Sequence, residues 1–264
     1  MNPIDTVVTT LDQLRRRRPL VHCLTNGVVK NFTANVLLAL GAAPAMVEHA
    51  EEAAQFAVMA DALLVNVGTL DEPQMRAMRA AVAAAVAGKR PWVLDPVAVG
   101  PLAVRTAFAR ELLAHRPTLI RGNASEVIAL SGSAGKGRGV DSGDSTEAAL
   151  AAAEDLARRT GGAVLATGPV DYGTDGRTRV ACHNGHVLLT RVTGVGCAQG
   201  AVAAACAAVA ESPLAAAMTS AVIMGIAGER AQRVAARPGS FAVALLDALD
   251  EIDGTIIRRE ARLS

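Results

Sequence analysis

"LVHCLTNGVVKNFTANVLLALG", residues 20–41, sets the fold. Its first five residues are an apolar run short enough for a buried strand, and a helical pattern follows over residues 28–40. Asn26 is placed to cap that helix and Gly41 to end it. A buried strand, a tight turn and a helix together make the repeating unit of a parallel sheet.

The same rhythm continues outward. "APAMV" (43–47) predicts a strand and "EEAAQFAVMA" (51–60) a helix; "ALLVNVG" (62–68) predicts a strand, followed by a helix over Glu72–Ala87 that Gly88 stops. "PWVLDP" (91–96), "TLIRGN" (118–123) and "AVLATG" (163–168) complete the strand series. "RTRVACHNGHVLLT" (177–190) has two short runs around Asn184-Gly185, a dipeptide suited to a type I′ hairpin, and predicts an antiparallel edge there. Residues 196–236 and 241–259 read as mainly helical. The expectation is an α/β fold, a central and mostly parallel sheet flanked by helices on both faces. No linker rich in Pro or Ser and no internal repeat divides the chain, so residues 1–264 are expected to form one domain.

Composition narrows the partners. With 26 basic and 25 acidic residues the net charge is +1, which draws the chain to neither nucleic acid nor an anionic membrane. Aromatic residues are 2% of the total, too few for the stacking platforms of single-strand nucleic-acid binding. Small molecules are the expected ligands. Residues 198–228 are apolar enough to suggest a membrane span, but Glu211 and Pro213 divide them and alanine supplies the bulk, which predicts buried core helices. The four irregularly spaced cysteines and an N-terminus without an apolar leader predict a reducing, cytoplasmic setting.

In open α/β sheets ligands bind beyond the carboxyl ends of the strands. Asn66, Gly68, Asp95, Arg121, Asn123, Thr167 and Gly168 all fall at such ends. "TGVGCAQG" (193–200) adds a glycine turn running into an alanine-rich helix, and a helix N-terminus offers free N–H groups and a positive dipole end to a phosphate. That dipole is expected to lower the thiol pKa of Cys197 and make it a base or nucleophile; a buried structural cysteine is the alternative. In "GNASE" (122–126), Asn123 and Glu126 lie three apart at a helix start, where they either help to hold a hydrated Mg²⁺ or form an ordinary capping box. Arg121 is placed to clamp phosphate bidentately. "GSAGKG" (132–137) lacks the spacing and the hydroxyl of a P-loop, and the loop at 131–145 reads as a candidate lid. Cys182, His183 and His186 lack a second ligand pair and do not make a zinc site.

Over nearly its whole length the chain resembles the hydroxyethylthiazole kinases, a family of ribokinase-like fold that acts in thiamine salvage. The resemblance rests on "PLVHCLTNGVVKNFTANVLLALGAAPAM" (19–46), "NVGTL" (66–70), "LDPVAVG" (94–100), "IRGNASE" (120–126), "GVDS" (139–142), "TGPVDYGTDG" (167–176) and "TGVGCAQGA" (193–201). It implies ATP- and Mg²⁺-dependent phosphorylation of the hydroxyl of 4-methyl-5-(2-hydroxyethyl)thiazole. Most ribokinase-like kinases carry a catalytic aspartate after the glycine turn and this family carries a cysteine, so Cys197 takes the base position. The family pattern further implies that Arg121 and Thr167 contact ATP, that Met46 and Gly194, with Asn26 and Gly68, line the thiazole pocket, and that Asp95 and Glu126 hold Mg²⁺. A homotrimer with thiazole sites at subunit boundaries is implied as well. Pro169, where a glutamate is frequent, and Gly173, where bulkier residues are usual, depart from the pattern beside the nucleotide. The rivals are a kinase for another alcohol, such as a hydroxymethylpyrimidine or pyridoxal, and an ATP-dependent dehydratase of hydrated nicotinamide cofactors. Both want aspartate at position 197. A non-catalytic ligand-binding relative is the third alternative.

Overall fold

The structure, a computed structural model, describes residues 2–132 and 146–264. Its strands are β1 (Leu20–Leu24), β2 (Ala43–Ala45), β3 (Ala62–Asn66), β4 (Trp92–Asp95), β5 (Leu119–Asn123), β6 (Ala163–Thr167), β7 (Asp171–Thr174) and β8 (Arg179–Cys182). The helices are α1 (Pro3–Arg17), α2 (Lys30–Leu40), α3 (Ala50–Met59), α4 (Glu72–Ala87), α5 (Ala103–Leu113), α6 (Ala124–Ser131), α7 (Thr146–Thr160), α8 (Val195–Ala207), α9 (Pro213–Val234), α10 (Pro238–Glu251) and α11 (Gly254–Glu260).

Local chemistry sets the boundaries. Asn2, Asp71 and Ser212 accept hydrogen bonds from the backbone N–H groups of Ile4, Gln74 and Ala215, and a proline opens or nearly opens each of those three helices. Gly41 ends α2 with φ of 91°. The helix after β1 starts at Lys30, two residues later than expected, and Asn26 does not cap it: the cap residue is Val29, with no side-chain bond. The amide of Asn26 is engaged elsewhere.

All eight strands join one sheet in the order β2-β1-β3-β4-β5-β6-β7-β8. The first six pair in parallel, and β7 and β8 are antiparallel. From β1 the chain moves outward to β2 and then back past β1 to β3, so the β1/β3 boundary is the topological switch point, where a crevice opens at the carboxyl ends. Alternate side chains serve the two faces. On β3, Leu64 packs into a core shared with α1, α2, α8, α9, α10 and α11, while Leu63 and Val65 pack against α3, α4, α5, α6 and α7. Small residues bring α8 close beneath β3 and β4. A Cβ on Gly200 would lie 3.2 Å from both Leu64 Cδ1 and Asp95 Oδ2.

The antiparallel edge is present, but its hairpin is not at Asn184-Gly185. The turn between β7 and β8 lies at residues 175–178, where Asp175 Oδ1 accepts from the N–H groups of Arg177 and Thr178 and Gly176 adopts φ of 86°. After Gly185 the chain forms a short 3-10 helix, Val187–Arg191. Asn184 is held by distant partners instead, which override its local turn preference. The apolar stretch 198–228 is divided between α8 and α9, and among the described residues no helix is long and apolar enough to cross a membrane. Most of the candidate lid, from residue 133 to 145, and with it the "GVDS" motif, lies outside the described residues.

Candidate active site

The carboxyl ends of β1, β3, β4 and β5 meet the N-terminus of α8. Asn66 ends β3 beside Asp95, its register partner on β4. Its side-chain N–H donates to Asp95 Oδ2 at 2.6 Å, and its Oδ1 accepts from Gly68 N at 3.0 Å and from Asn26 Nδ2 at 3.1 Å. Asn26 thus bridges the switch point between β1 and β3. Its Nδ2 also donates to Cys197 Sγ at 3.3 Å.

Glycines permit the crowding. A Cβ on Gly68 would meet the Asn26 side chain at 2.8 Å. Gly194, with φ of 93°, precedes α8, and a Cβ there would fall 2.9 Å from Val29 at the entry to α2. A Cβ on Gly196 would fall 3.0 Å from Arg121 Nη2. The guanidinium therefore lies against the first turn of α8, whose N–H groups lack intrahelical acceptors.

The structure corrects one expectation, the direction of the Cys197 shift, and adds partners for Glu126 and Arg121. The Cys197 thiol is raised above its ordinary value, not lowered: burial raises it most and the Asp95 charge adds to this, outweighing the hydrogen bonds from Asn66 and Asn26 and the charge of Arg121. Glu126 forms the capping box with Asn123, its Oε2 accepting from Asn123 N at 2.9 Å, while Oε1 accepts from Ala98 N at 2.9 Å. The fork of Arg121 is already engaged, with Nε and Nη2 donating to Gln199 Oε1 at 3.1 and 3.0 Å.

Asp95 is fully buried, and its Oδ1 accepts no hydrogen bond. Arg121 Nη1 stands 3.9 Å from that oxygen. Burial pushes the carboxyl up to about 7, against the pull of Arg121 and Asn66 and with the push of Glu126. A carboxyl with one oxygen unsatisfied, near Glu126, suits Mg²⁺, which takes one or two carboxylates and completes its shell with water and phosphate oxygens. Among the described residues no group of three or more His, Cys, Asp and Glu forms a metal site by itself.

Thr167 stands opposite Asn123 at the end of β6, its hydroxyl donating to Gly122 O at 3.3 Å. Met46 follows β2, half-buried at the sheet margin, and the next residue, Val47, is tethered through its carbonyl to His22 Nε2 at 2.8 Å. Two participants escaped the sequence reading as site residues. Gln199 holds Arg121, and Asp171, raised by burial, accepts from Gly168 N at 3.0 Å. Both lie inside quoted motifs, Asp171 in residues 167–176 and Gln199 in residues 193–201, but nothing in their spacing shows that they meet.

The chain matches the hydroxyethylthiazole kinase family over residues 11–254. It is 60% identical to the hydroxyethylthiazole kinase of Cronobacter sakazakii over 90% of this chain and 89% of that protein. It is 54% identical to that of Kineococcus radiotolerans over 99% and 95%. Among solved structures, a hydroxyethylthiazole kinase protein from Pyrococcus horikoshii superposes with a TM-score of 0.91 at 41% identity, covering 98% of each chain. A pyridoxal kinase from Staphylococcus aureus, at 18% identity and a TM-score of 0.61 over 80% of this chain and 88% of its own, shares the fold.

Proposed function

We propose how the residues of this chain divide the work of its reaction, from the premise that the chain belongs to the hydroxyethylthiazole kinase family. It is a kinase of ribokinase-like fold that phosphorylates the hydroxyl of 4-methyl-5-(2-hydroxyethyl)thiazole, with ATP as phosphoryl donor. Phosphoryl transfer passes through a loose transition state, so the protein contributes mainly position and charge.

The observation that carries the assignment is the Cys197 thiol at the start of α8, hydrogen-bonded by Asn26 and flanked by Arg121 and Asp95. The free N–H groups after Gly194 cradle the transferring phosphoryl group, and Arg121 adds positive charge beside them. Cys197 takes the alcohol proton as the alcohol oxygen attacks the γ-phosphorus and ADP departs. Its raised pKa makes it a stronger base but leaves less thiolate near neutral pH, so turnover climbs with pH. Asn26, Gly68, Met46 and Gly194 line the thiazole pocket, and Thr167 joins Arg121 at the nucleotide. Asp95, whose Oδ1 has no partner, and Glu126, whose oxygens already serve backbone donors, would hold Mg²⁺. The metal supplies charge neutralisation on the polyphosphate.

Residues 1–264 act as one kinase domain, a reading supported by the unbroken sheet. The chains assemble as a homotrimer with thiazole sites at the boundaries. Val28, two residues from Asn26, is 69% exposed and offers apolar surface near the site. Equilibrium sedimentation at three times the chain mass supports the trimer, and a single-chain mass opposes it. Four free thiols suit the cytoplasm. ADP release with Mg²⁺ and ATP, assayed against hydroxyethylthiazole, hydroxymethylpyrimidine, pyridoxal and no acceptor, tests the function. Release with the thiazole alone, and a thiazole phosphate ester by mass spectrometry, is expected; turnover of another alcohol in its place overturns the substrate.

A further inference from the structure

Arg121, in the middle of β5, has its guanidinium held between Gln199, Asp95 and the first turn of α8. Nε and Nη2 converge on the single oxygen Gln199 Oε1, Nη1 faces Asp95 Oδ1 at 3.9 Å, and a Cβ on Gly196 would fall 3.0 Å from Nη2. Gln199 is itself buried. Its amide can be oriented in one way only, because Oε1 meets a donor while Nε2 points at Asp171 Oδ2, 3.5 Å away. The other oxygen of Asp171 accepts from Gly168 N, in the turn after β6. A chain of polar contacts thus runs from the β6 turn through Asp171 and Gln199 to Arg121.

We propose that Gln199 is a positioning residue for phosphoryl transfer, holding the Arg121 guanidinium at the N-terminus of α8 while leaving its charge free for the polyphosphate of ATP. The proposal rests on the reading that Arg121 contacts ATP. A neutral amide is the acceptor this task requires. A carboxylate at the same place would anchor the arginine equally well but pair with its charge, whereas an apolar side chain would leave buried N–H donors without a partner.

The test is a double-mutant cycle on KM for ATP, with KM for the thiazole as the control. Gln199→Leu is expected to raise the ATP KM about ten- to a hundredfold, the ordinary weight of a hydrogen bond to a charged group, with the thiazole KM unchanged. Arg121→Ala in the Gln199→Leu background adds less than it does alone, because both changes remove one interaction. Gln199→Glu, close in size, keeps the fold and also raises the ATP KM by neutralising the guanidinium. A wild-type ATP KM in both Gln199 variants, or effects that multiply in the double variant, overturns the proposal. A wild-type ATP KM in Arg121→Ala alone overturns instead the reading beneath it.

Discussion

Two buried polar clusters in this fold are built on opposite terms. At the antiparallel edge, Asn184 Oδ1 accepts from Arg262 N and Nδ2 donates to Glu260 O, each at 2.8 Å. Glu229 accepts from Gly185 N at 2.7 Å and from the Arg262 guanidinium, and Arg230, Arg233 and Arg259 surround Glu260. This cluster closes residues 262–264 onto β8, where Ala181 and Ser264 exchange backbone hydrogen bonds. At the strand ends, by contrast, Asp95 keeps an oxygen without a donor and Asn26 directs an N–H at a thiol. Native structures pair nearly all their buried polar groups. Both amide atoms of Asn184 are paired although Arg230 Nε nearby is not, whereas the unpaired atom at the strand ends is a carboxylate oxygen, so Asn184 reads as structure and Asp95 as a place kept for a ligand.

The two carboxylates also answer pH in opposite directions. Burial pushes Glu260 up, but Arg259, Arg233 and Arg230 outweigh it and hold the group below its ordinary value. It contributes stability above the unfolded pKa that is lost as pH falls. Asp95 is raised to about 7, so the fold favours its neutral form. Its contribution is full below its ordinary value of 3.8 and is lost as pH rises through about 7.

The comparison is most exposed at Asp95. Asp95→Asn keeps an acceptor for Asn66 but removes the buried charge. Turnover is expected to fall by about a hundredfold or more, while the metal-free protein gains on the order of 2 kcal/mol at pH 8. Thermal melts between pH 4 and pH 8 should show that gain shrinking toward acid; an active or destabilised variant would break the contrast. Asn184→Ala should do the reverse, losing about 2 kcal/mol of stability with kcat and both KM values unchanged, as chemical denaturation and steady-state kinetics would show. Glu260→Gln is smaller, about 1 kcal/mol lost near pH 7 because two of its arginine partners, Arg233 and Arg259, are largely exposed, and the loss should shrink as pH falls below the ordinary glutamate value of 4.5. Gly68→Ala sharpens the site side: crowding of Asn26 is expected to raise the thiazole KM roughly tenfold, about 1.4 kcal/mol, and leave the ATP KM alone.

How much of this is legible in the sequence follows from range. β3, β4 and β5 are apolar runs closed by glycine or proline signals, and their ends mark Asn66, Asp95 and Arg121 without any tertiary knowledge. Asn184-Gly185 misleads because its turn preference is local, whereas the partner that claims Asn184 lies 78 residues on. Asn26 looks like a cap for the same reason, its real partners being on β3 and α8. The helix dipole at Cys197 is visible in the sequence, but the burial that reverses the shift is not. Gln199 lies in the glycine-turn motif, but its partner does not show there, since its role exists only where α8 meets β5.

Single-turnover formation of the thiazole phosphate, followed across pH in the wild type, Cys197→Ala and Cys197→Asp, tests the central claim most directly. If Cys197 is the base, the wild-type rate climbs with pH. The alanine variant falls about a hundred- to ten-thousandfold with ATP binding retained, and the aspartate variant recovers activity. An alanine variant that forms the ester at the wild-type rate contradicts the claim.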